Sequence, residues 1–534
     1  MQDLRADGGP AGPPRQVADL PATIAAREAA EQPRWVWSAT ADIYPVLLRA
    51  GVRVARCHDL ELTEALLLGH AGHWGEPRGV AAALARTRGL PVLPDPPRHG
   101  AEPPGFAQGA LFETAQGPSV EIQDLLEVYG SQQRRVAETE HPGRFRMLVA
   151  AESAGALVAA EMGHTGLPWR ADIHDQLLRE LLGPPQPVGP PRRLAELTAE
   201  INDAFGVRGL HPDSPAEVLR AFGRAGIHVP NTRAWVLREV DHPAVAPLLE
   251  FKELYRIWTA HGWSWCEAWV RDGRFRPEYV PGGVVSGRWA ARGGGALQVP
   301  KVVRRGVVAD PGWQFVVADA GQLEPRVLAA VSGDAGLARA AAAGDLYAAL
   351  AADSFAGDRA KAKIALLGAM YGQTGGDALP ALAVLRRHYP VAFEHVEAAA
   401  RTGETGGLVR SWLGRTCPPA AGPRDAGLDP PDDVAPPPGR ARGRFTRNFV
   451  IQATAAEWAL VMLALVRTAL SDMSAELVLF VHDEVVVHCP AAEADTVVRV
   501  VHECAARAGR MLFGDSEVRF PLDVSVVGAY ADAK

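Results

Sequence analysis

Two carboxylates at the ends of apolar runs are where chemistry is most readily placed in this sequence. The run LVLFVHDEVVVH, residues 477–488, reads as buried strand but is interrupted by His482, Asp483 and Glu484. Val and Leu crowd both sides and neither Gly nor Pro marks an ordinary surface turn. Three ionisable groups there are costly without partners. In WQFVVADAGQLEPRVLAA a strand-like run, Phe315 to Ala318, ends at Asp319, and a helical pattern follows through Arg326 and Leu328. Asp483 then falls at the tip of a β-hairpin. Carboxylates delivered by neighbouring strand ends suit two Mg²⁺ ions about 3.5–4 Å apart, one activating an attacking oxygen and one holding the leaving oxygen. Two unrelated turn aspartates are the alternative.

A second group lies in DRAKAKIALLGAMYG, residues 358–372, where Arg359, Lys363, Leu367 and Tyr371 recur every fourth residue and share one helix face. Two cations four apart with no acid between them repel slightly. A polyanion such as a triphosphate is their natural partner, with Tyr371 available to pack on a base or sugar; a solvated basic face is the alternative. Arg444, Asn448 and Gln452 repeat in the same way on the apolar helix GRFTRNFVIQATAAEWALVMLAL. They suit a minor groove or sugar-phosphate backbone, or else a neighbouring polar loop. Around the glycine cluster of VVSGRWAARGGGALQVPK, Arg288, Arg292 and Lys301 leave room for a backbone to approach phosphates.

These groups need a large scaffold, and 534 residues with 48% hydrophobic content supply at least two folding units. A formal charge of -7 removes any argument from overall basicity but permits a local basic cleft. Lysine is scarce: five, so fifty of the 55 cations are arginine, as a GC-rich coding sequence would give. The five cysteines are scattered without a C-x-x-C pair, which argues against a zinc site or disulfide framework. Nothing resembles a signal peptide, and no apolar run of about 18 residues lacks a charge or breaker. A cytoplasmic protein without membrane association is expected. Residues 1–16 read as a disordered Gly/Pro tail, followed by a small α/β unit from Arg34 to about Leu126. Long helices are expected over Arg146–Met162 and Val245–His261, and an irregular insertion over Pro418–Arg442. No internal repeat is visible.

In this order, the segments resemble the polymerase domain of the bacterial DNA polymerase I family, family A. VVSGRWAARGGGALQVP is similar to its TGRLSS…NLQNIP element, matching at Ser286, Gly287, Arg288, Leu297, Gln298 and Pro300. DAGQLEPRVLA resembles motif A, DYSQIELRVLA, and DRAKAKIALLGAMYG has the R-x3-K-x7-YG spacing of motif B. RNFVIQATAAEWA is similar to the RxxxNxxxQGTAAD helix and VHDEVVV to motif C, VHDEL. The likeness runs from about residue 146 to the C-terminus.

The resemblance implies an α+β right-hand fold of palm, fingers and thumb with an antiparallel palm sheet. The thumb would take about 146–270, the palm 271–335 and 443–534, and the fingers 336–442. It implies a DNA-directed DNA polymerase acting in replication or repair as a monomer on primer-template DNA and deoxynucleoside triphosphates, with two Mg²⁺ ions, replaceable by Mn²⁺. Asp319 and Asp483 would bind the metals, Glu484 being accessory. Arg359 and Lys363 would hold the triphosphate, Lys363 also offsetting charge in catalysis, and Tyr371 would lie near the templating base. Glu324 would disfavour a ribose 2′-hydroxyl, with Gln322 beside it. Arg288, Gln298, Arg444, Asn448, Gln452 and His482 would contact DNA, His482 near the primer's terminal phosphate. Leu367 stands where the family carries Phe or Tyr, Ala320 and Gly321 replace Tyr and Ser, Pro325 replaces Leu, and the stretch from Asp319 to Arg359 is short.

Residues 1–145 sit where the family carries a ribonuclease H-like 3′–5′ exonuclease. The one D-x-E of this unit, Asp59-Leu60-Glu61, looks like a later helix of such domains, and RWVWSA ends without acids. A degenerate, inactive exonuclease-like domain is therefore expected, with no 5′-nuclease domain. The alternatives are an active 3′–5′ exonuclease, a single-subunit RNA polymerase and a non-catalytic DNA-binding scaffold, all decidable by metal-dependent primer extension.

Overall fold

The strand that ends at Asp319 forms because Trp313–Ala320 is apolar on both faces, and Phe315 to Ala318 are at most 2% exposed. It lies within a four-stranded sheet in the order Leu522–Val527, Trp313–Ala320, Glu484–Pro490, Glu476–Val481. The last two strands are an antiparallel hairpin with Glu484 opposite Val481, and a bulge falls between Val486 and Val487. Val485, Val486 and Val487 are all fully buried, which is why the hairpin reads as a continuous apolar run rather than an alternating one. A computed structural model of the chain describes residues 1–96, 120–186, 188–292, 295, 297, 299–372, 378–419 and 438–533.

The chain divides into two compact units. The first comprises Met1–Thr165, Glu278–Arg292 and Val316–Val526, and so holds the sheet. Its central element is the helix Pro438–Ala469, packed against the helices Pro142–Thr165, Pro390–Glu404 and Ala494–Phe513. By length and composition this helix could cross a membrane, but its most apolar stretch is 89% buried inside the protein. Within it Glu457 is fully buried, accepting from the Ser411 hydroxyl and, at 3.0 Å, from the Leu413 N–H. Burial pushes its carboxyl up to about 7 from an ordinary 4.5, against the pull of Ser411, Arg415 and the Leu413 N–H.

A raised carboxyl favours the folded state while protonated. That stability is present in full below about pH 4.5 and lost as pH rises through 7. Glu457→Gln fits the same bonds, because the Ser411 hydroxyl can turn its proton to the Arg415 carbonyl at 3.2 Å. Between pH 5 and pH 8 the variant should gain up to about 3 kcal/mol on the parent in urea unfolding. An unchanged difference would mean that Glu457 folds with the same charge at both values.

The helix Pro142–Thr165 begins earlier and ends later than the sequence pattern suggested. It lies in the first unit, against the helices Thr40–Arg49 and Pro438–Ala469. Its two inward acids explain this, since Glu161 takes Arg467 at 2.7 Å and Glu152 takes Arg415 at 2.5 Å. Near the N-terminus, Arg34–Trp37 and Arg56–Asp59 pair in parallel, over a core that includes Trp37, Tyr44 and Leu47. The expectation of a disordered tail is corrected here. Asp3 pairs with both Arg15 and Arg27, the Met1 amine donates to the Arg15 carbonyl at 2.7 Å, and the Met1 side chain packs on that core. Of the expected irregular insertion, residues 438–442 instead open the long helix, and residues 420–437 lie outside the described residues.

The second unit comprises Gly166–Pro277, Gly293–Phe315 and Val527–Lys534. It is a helical layer that includes Ala171–Leu182, Arg192–Phe205 and the expected Val245–His261. A small three-stranded sheet joins it, and Trp169, His174, Trp265 and Phe275 pack together through edge-on and tilted ring contacts.

Candidate active site

The two sheet carboxylates come together at adjoining strand ends. The Ala320 N–H donates to the Asp483 carbonyl at 3.1 Å, so the residue after Asp319 is paired to the hairpin tip. His482 turns the tip at φ 59°, and Gln322, three residues beyond Asp319, also has φ 59°. Only five described non-glycine residues have positive φ, and two of them flank this pair. Such conformations cost about 1–3 kcal/mol and persist where the surroundings over-determine them.

Burial pushes the Asp483 carboxyl up to about 6, the neighbouring charges of Asp319 and Glu324 add to the rise, and Arg288 opposes it. Burial, then Arg288, holds His482 below the ordinary imidazole range. Glu484 is buried at the start of the return strand. Crowded half-buried carboxylates with too little local cation to balance them are a donor set that suits a hard divalent ion. Among the described residues no group of three or more His, Cys, Asp and Glu forms a closed metal cage, so the fit is to a pair of carboxylates.

Glu324 ties the other expected residues to this pair. One oxygen accepts from Arg288 at 2.7 Å and the other from the Tyr371 hydroxyl at 2.5 Å. Burial and the Glu324 charge raise the Tyr371 hydroxyl well above its usual range, which keeps it a donor. Tyr371 closes the helix Arg359–Tyr371, whose N-cap Asp358 accepts from the Lys361 N–H at 2.9 Å. Lys363 on that helix is exposed and Leu367 half-buried. Arg359 is held by Asp345 at 2.7 Å. Asp345 also accepts from the Gln322 side-chain amide at 2.8 Å, while the Gln322 Oε1 takes the Leu346 N–H at 2.8 Å. Gln322 is therefore a brace between the first strand end and the next helices.

On the long helix Arg444 and Asn448 are half-buried, but Gln452 is only 6% exposed. The four-residue stripe runs inward along the helix, and the core takes its last member. Gln298 lies outside the described residues. Three site-building residues escaped the sequence reading. Asp345 is one. Arg326 is 1% exposed and donates to carbonyls of Gly321, Ala341, Ala343, Gly344 and Arg519. Arg447 bonds the Ala369 carbonyl at 3.0 Å and Glu397, fastening the long helix to the Arg359–Tyr371 helix. Their partners are backbone carbonyls or distant acids, which leave no local spacing to find.

The D-x-E of the N-terminal part is spent on structure. Asp59 caps the helix Leu60–His70 through the Leu62 N–H at 2.8 Å, and its other oxygen takes the Thr40 N–H at 2.6 Å. Glu61 pairs with Arg78 at 3.1 Å. Asp59→Ala should thus lower stability by about 1–3 kcal/mol in urea and leave primer extension unchanged. Metal-dependent 3′-end degradation that this variant abolishes would overturn the structural assignment.

A family model described as DNA polymerase family A matches residues 191–531, well over half of the chain. The chain belongs to DNA polymerase family A. Relatives in the family include DNA polymerase I of Chloroflexus aurantiacus, 26% identical over 353 residues that make up 59% of this chain and 35% of that protein. The thermostable DNA polymerase I of Thermus thermophilus is 29% identical over 321 residues, 54% of this chain and 36% of its own. The chain spans about a third of the length of these curated relatives. In fold it is similar to the POL domain of Pol1 from M. smegmatis, solved in complex with DNA primer-template and dNTP. That likeness has a TM-score of 0.71 at 18% identity, over 96% of this chain and 88% of that one. The α+β polymerase fold expected of family A is therefore the observed one.

Proposed function

We propose that this protein is a template-directed DNA polymerase, adding deoxynucleotides to a primer 3′ end by nucleotidyl transfer. The observation that carries this reading is the Asp319/Asp483 pair at adjoining strand ends, linked through Glu324 to the basic Arg359–Tyr371 helix. Bound divalent cations, for which Mg²⁺ is the physiological choice and Mn²⁺ a substitute, supply electrostatic stabilisation of phosphoryl transfer. Asp319 and Asp483 would hold them, with the buried Glu484 adding negative field. Arg359 and the exposed Lys363 bind the incoming triphosphate, which must displace Asp345 from Arg359. Lys363 then offsets charge on the leaving pyrophosphate. Glu324, fixed between Arg288 and Tyr371, is placed to crowd a ribose 2′-hydroxyl and so favours deoxynucleotides. Leu367 and Tyr371 shape the site for base and sugar. Arg288, Gln298, Arg444, Asn448 and His482 contact primer-template, whereas Gln452 is too deep to reach it in this conformation.

Palm, fingers and thumb are assigned to the sheet, to the helices around Arg359–Tyr371, and to the second unit. The N-terminal part is an exonuclease-like domain without nuclease activity, a reading supported by the bonding of Asp59. Five free cysteines support a reducing compartment, the cytoplasm with its nucleoid, and a monomer is proposed. Extension of a labelled primer on a defined template, with dNTPs or rNTPs, tests the whole reading. The expected result is Mg²⁺-dependent extension with dNTPs, at least tenfold faster than with rNTPs, and no trimming of a 3′-mismatched primer. Preference for rNTPs would make it an RNA polymerase, and DNA binding without extension a scaffold.

A further inference from the structure

In the first unit, a cavity of about 240 Å³ is lined by His70, Glu140, His141, Arg144, His395 and Arg410, with the Trp412 indole on one wall. That is room for roughly eight waters or a compact ion with its hydration. Two arginines and three histidines line it, burial holding His70 and His395 below the ordinary imidazole range, and Glu140 is the one acid among the described lining residues. Arg144 lies over the Trp412 ring at 3.5 Å, and the indole is fixed by its N–H to the Leu512 carbonyl at 2.7 Å. Arg410 reaches one carbonyl, that of His70, at 3.1 Å. Its Nε, and Nε2 of His395, are buried and make no hydrogen bond among the described residues.

Other interior arginines of this unit have a carboxylate or, in Arg326, several backbone carbonyls. Arg415 has Glu152, Arg447 has Glu397 and Arg467 has Glu161. Arg410 is half-buried as a whole, but its Nε is enclosed, and buried donors in native proteins almost always have a partner. Arg410 lacks a carboxylate within hydrogen-bond reach among the described residues, and its spare donor lines a cavity shared with a second guanidinium. Planar guanidinium groups converging on one space are the usual means of holding a tetrahedral oxyanion. We infer that the cavity is a binding site for a compact phosphate-class anion, either a free phosphate or pyrophosphate ion or the phosphate end of a mononucleotide. The site is separate from the helix that bears Arg359 and Lys363, and the inference does not depend on polymerase activity.

The experiment uses the purified full chain in EDTA, titrated with inorganic phosphate, pyrophosphate and dAMP, and followed by calorimetry and thermal melting. Saturable one-to-one binding is expected, weakened at least tenfold in Arg410→Met and in Arg144→Met and unchanged in Arg359→Ala. The Arg144 side chain stacks on Trp412 and makes no hydrogen bond among the described residues, so its variant keeps the test usable if Arg410→Met melts early. A phosphate-only response assigns the site to the free ion, and tenfold tighter dAMP binding assigns it to a nucleotide; either supports the inference. Binding lost in Arg359→Ala but retained in both cavity variants would place the anion at the polymerase site and overturn it. Absence of saturable binding would mean that the cavity holds water only.

Discussion

Asp319→Asn and Asp483→Asn are each expected to lower the primer-extension rate by on the order of 10³-fold or more, about 4 kcal/mol of barrier, without unfolding the protein. Asparagine keeps the shape of each side chain and removes the charge that a divalent ion needs. The direction of the stability change separates this from a structural role. Asp483 is disfavoured as an anion by burial and by Asp319, so the ionised pair is repulsive in the absence of metal. At pH 8 in metal-free buffer, Asp483→Asn should melt level with or above the parent. Activity lost with a large fall in melting temperature would instead mark the aspartates as braces. Most of the extension rate surviving in either variant would sink the two-carboxylate assignment outright. Such a trade of stability for activity is common where like charges are held together for catalysis.

What was legible in the sequence was whatever is encoded locally. The hairpin at Asp483, the strand ending at Asp319 and the helix Arg359–Tyr371 each declare themselves through periodicity and an interrupting charge, and the structure places all three around Glu324. Partnership across the fold was not legible. Arg359 shows no sign of Asp345, nor Arg447 of Glu397, because the partners lie 14 and 50 residues away. The stripe misled at Gln452 because from Phe449 to Leu463 the helix is buried all round and has no outer face for a polar repeat to mark. The N-terminal tail misled for the opposite reason. Gly and Pro signal irregular backbone, but Asp3 with its two arginines decides whether that backbone is fastened.

The least legible element makes the second strong prediction. Arg415, in a loop with no motif, pairs with Glu152 at 2.5 Å, both nearly inaccessible. Two glycine turns rest on this pair. A Cβ on Gly282, at φ 61°, would stand 2.5 Å from a Glu152 carboxylate oxygen, and one on Gly287, at φ 84°, would stand 2.3 Å from the Arg415 Nε. Side chains larger than hydrogen are excluded at both places, so the segment between them is seated on the ion pair. Arg288 leaves the second turn directly to reach Glu324. Arg415→Met should strand the Glu152 carboxylate in the interior and cost about 3–5 kcal/mol in urea unfolding. Arg415→Met combined with Glu152→Gln should recover part of that loss, since the double variant leaves no unpaired charge at this place. Extension by the double variant should still fall on the order of tenfold, because a turn that has lost its support no longer holds Arg288 to the tolerance that catalysis needs. A single variant within 1 kcal/mol of the parent would show that Glu152 finds water or another cation. A double variant with full extension would show that the turn holds its shape without the pair beneath it.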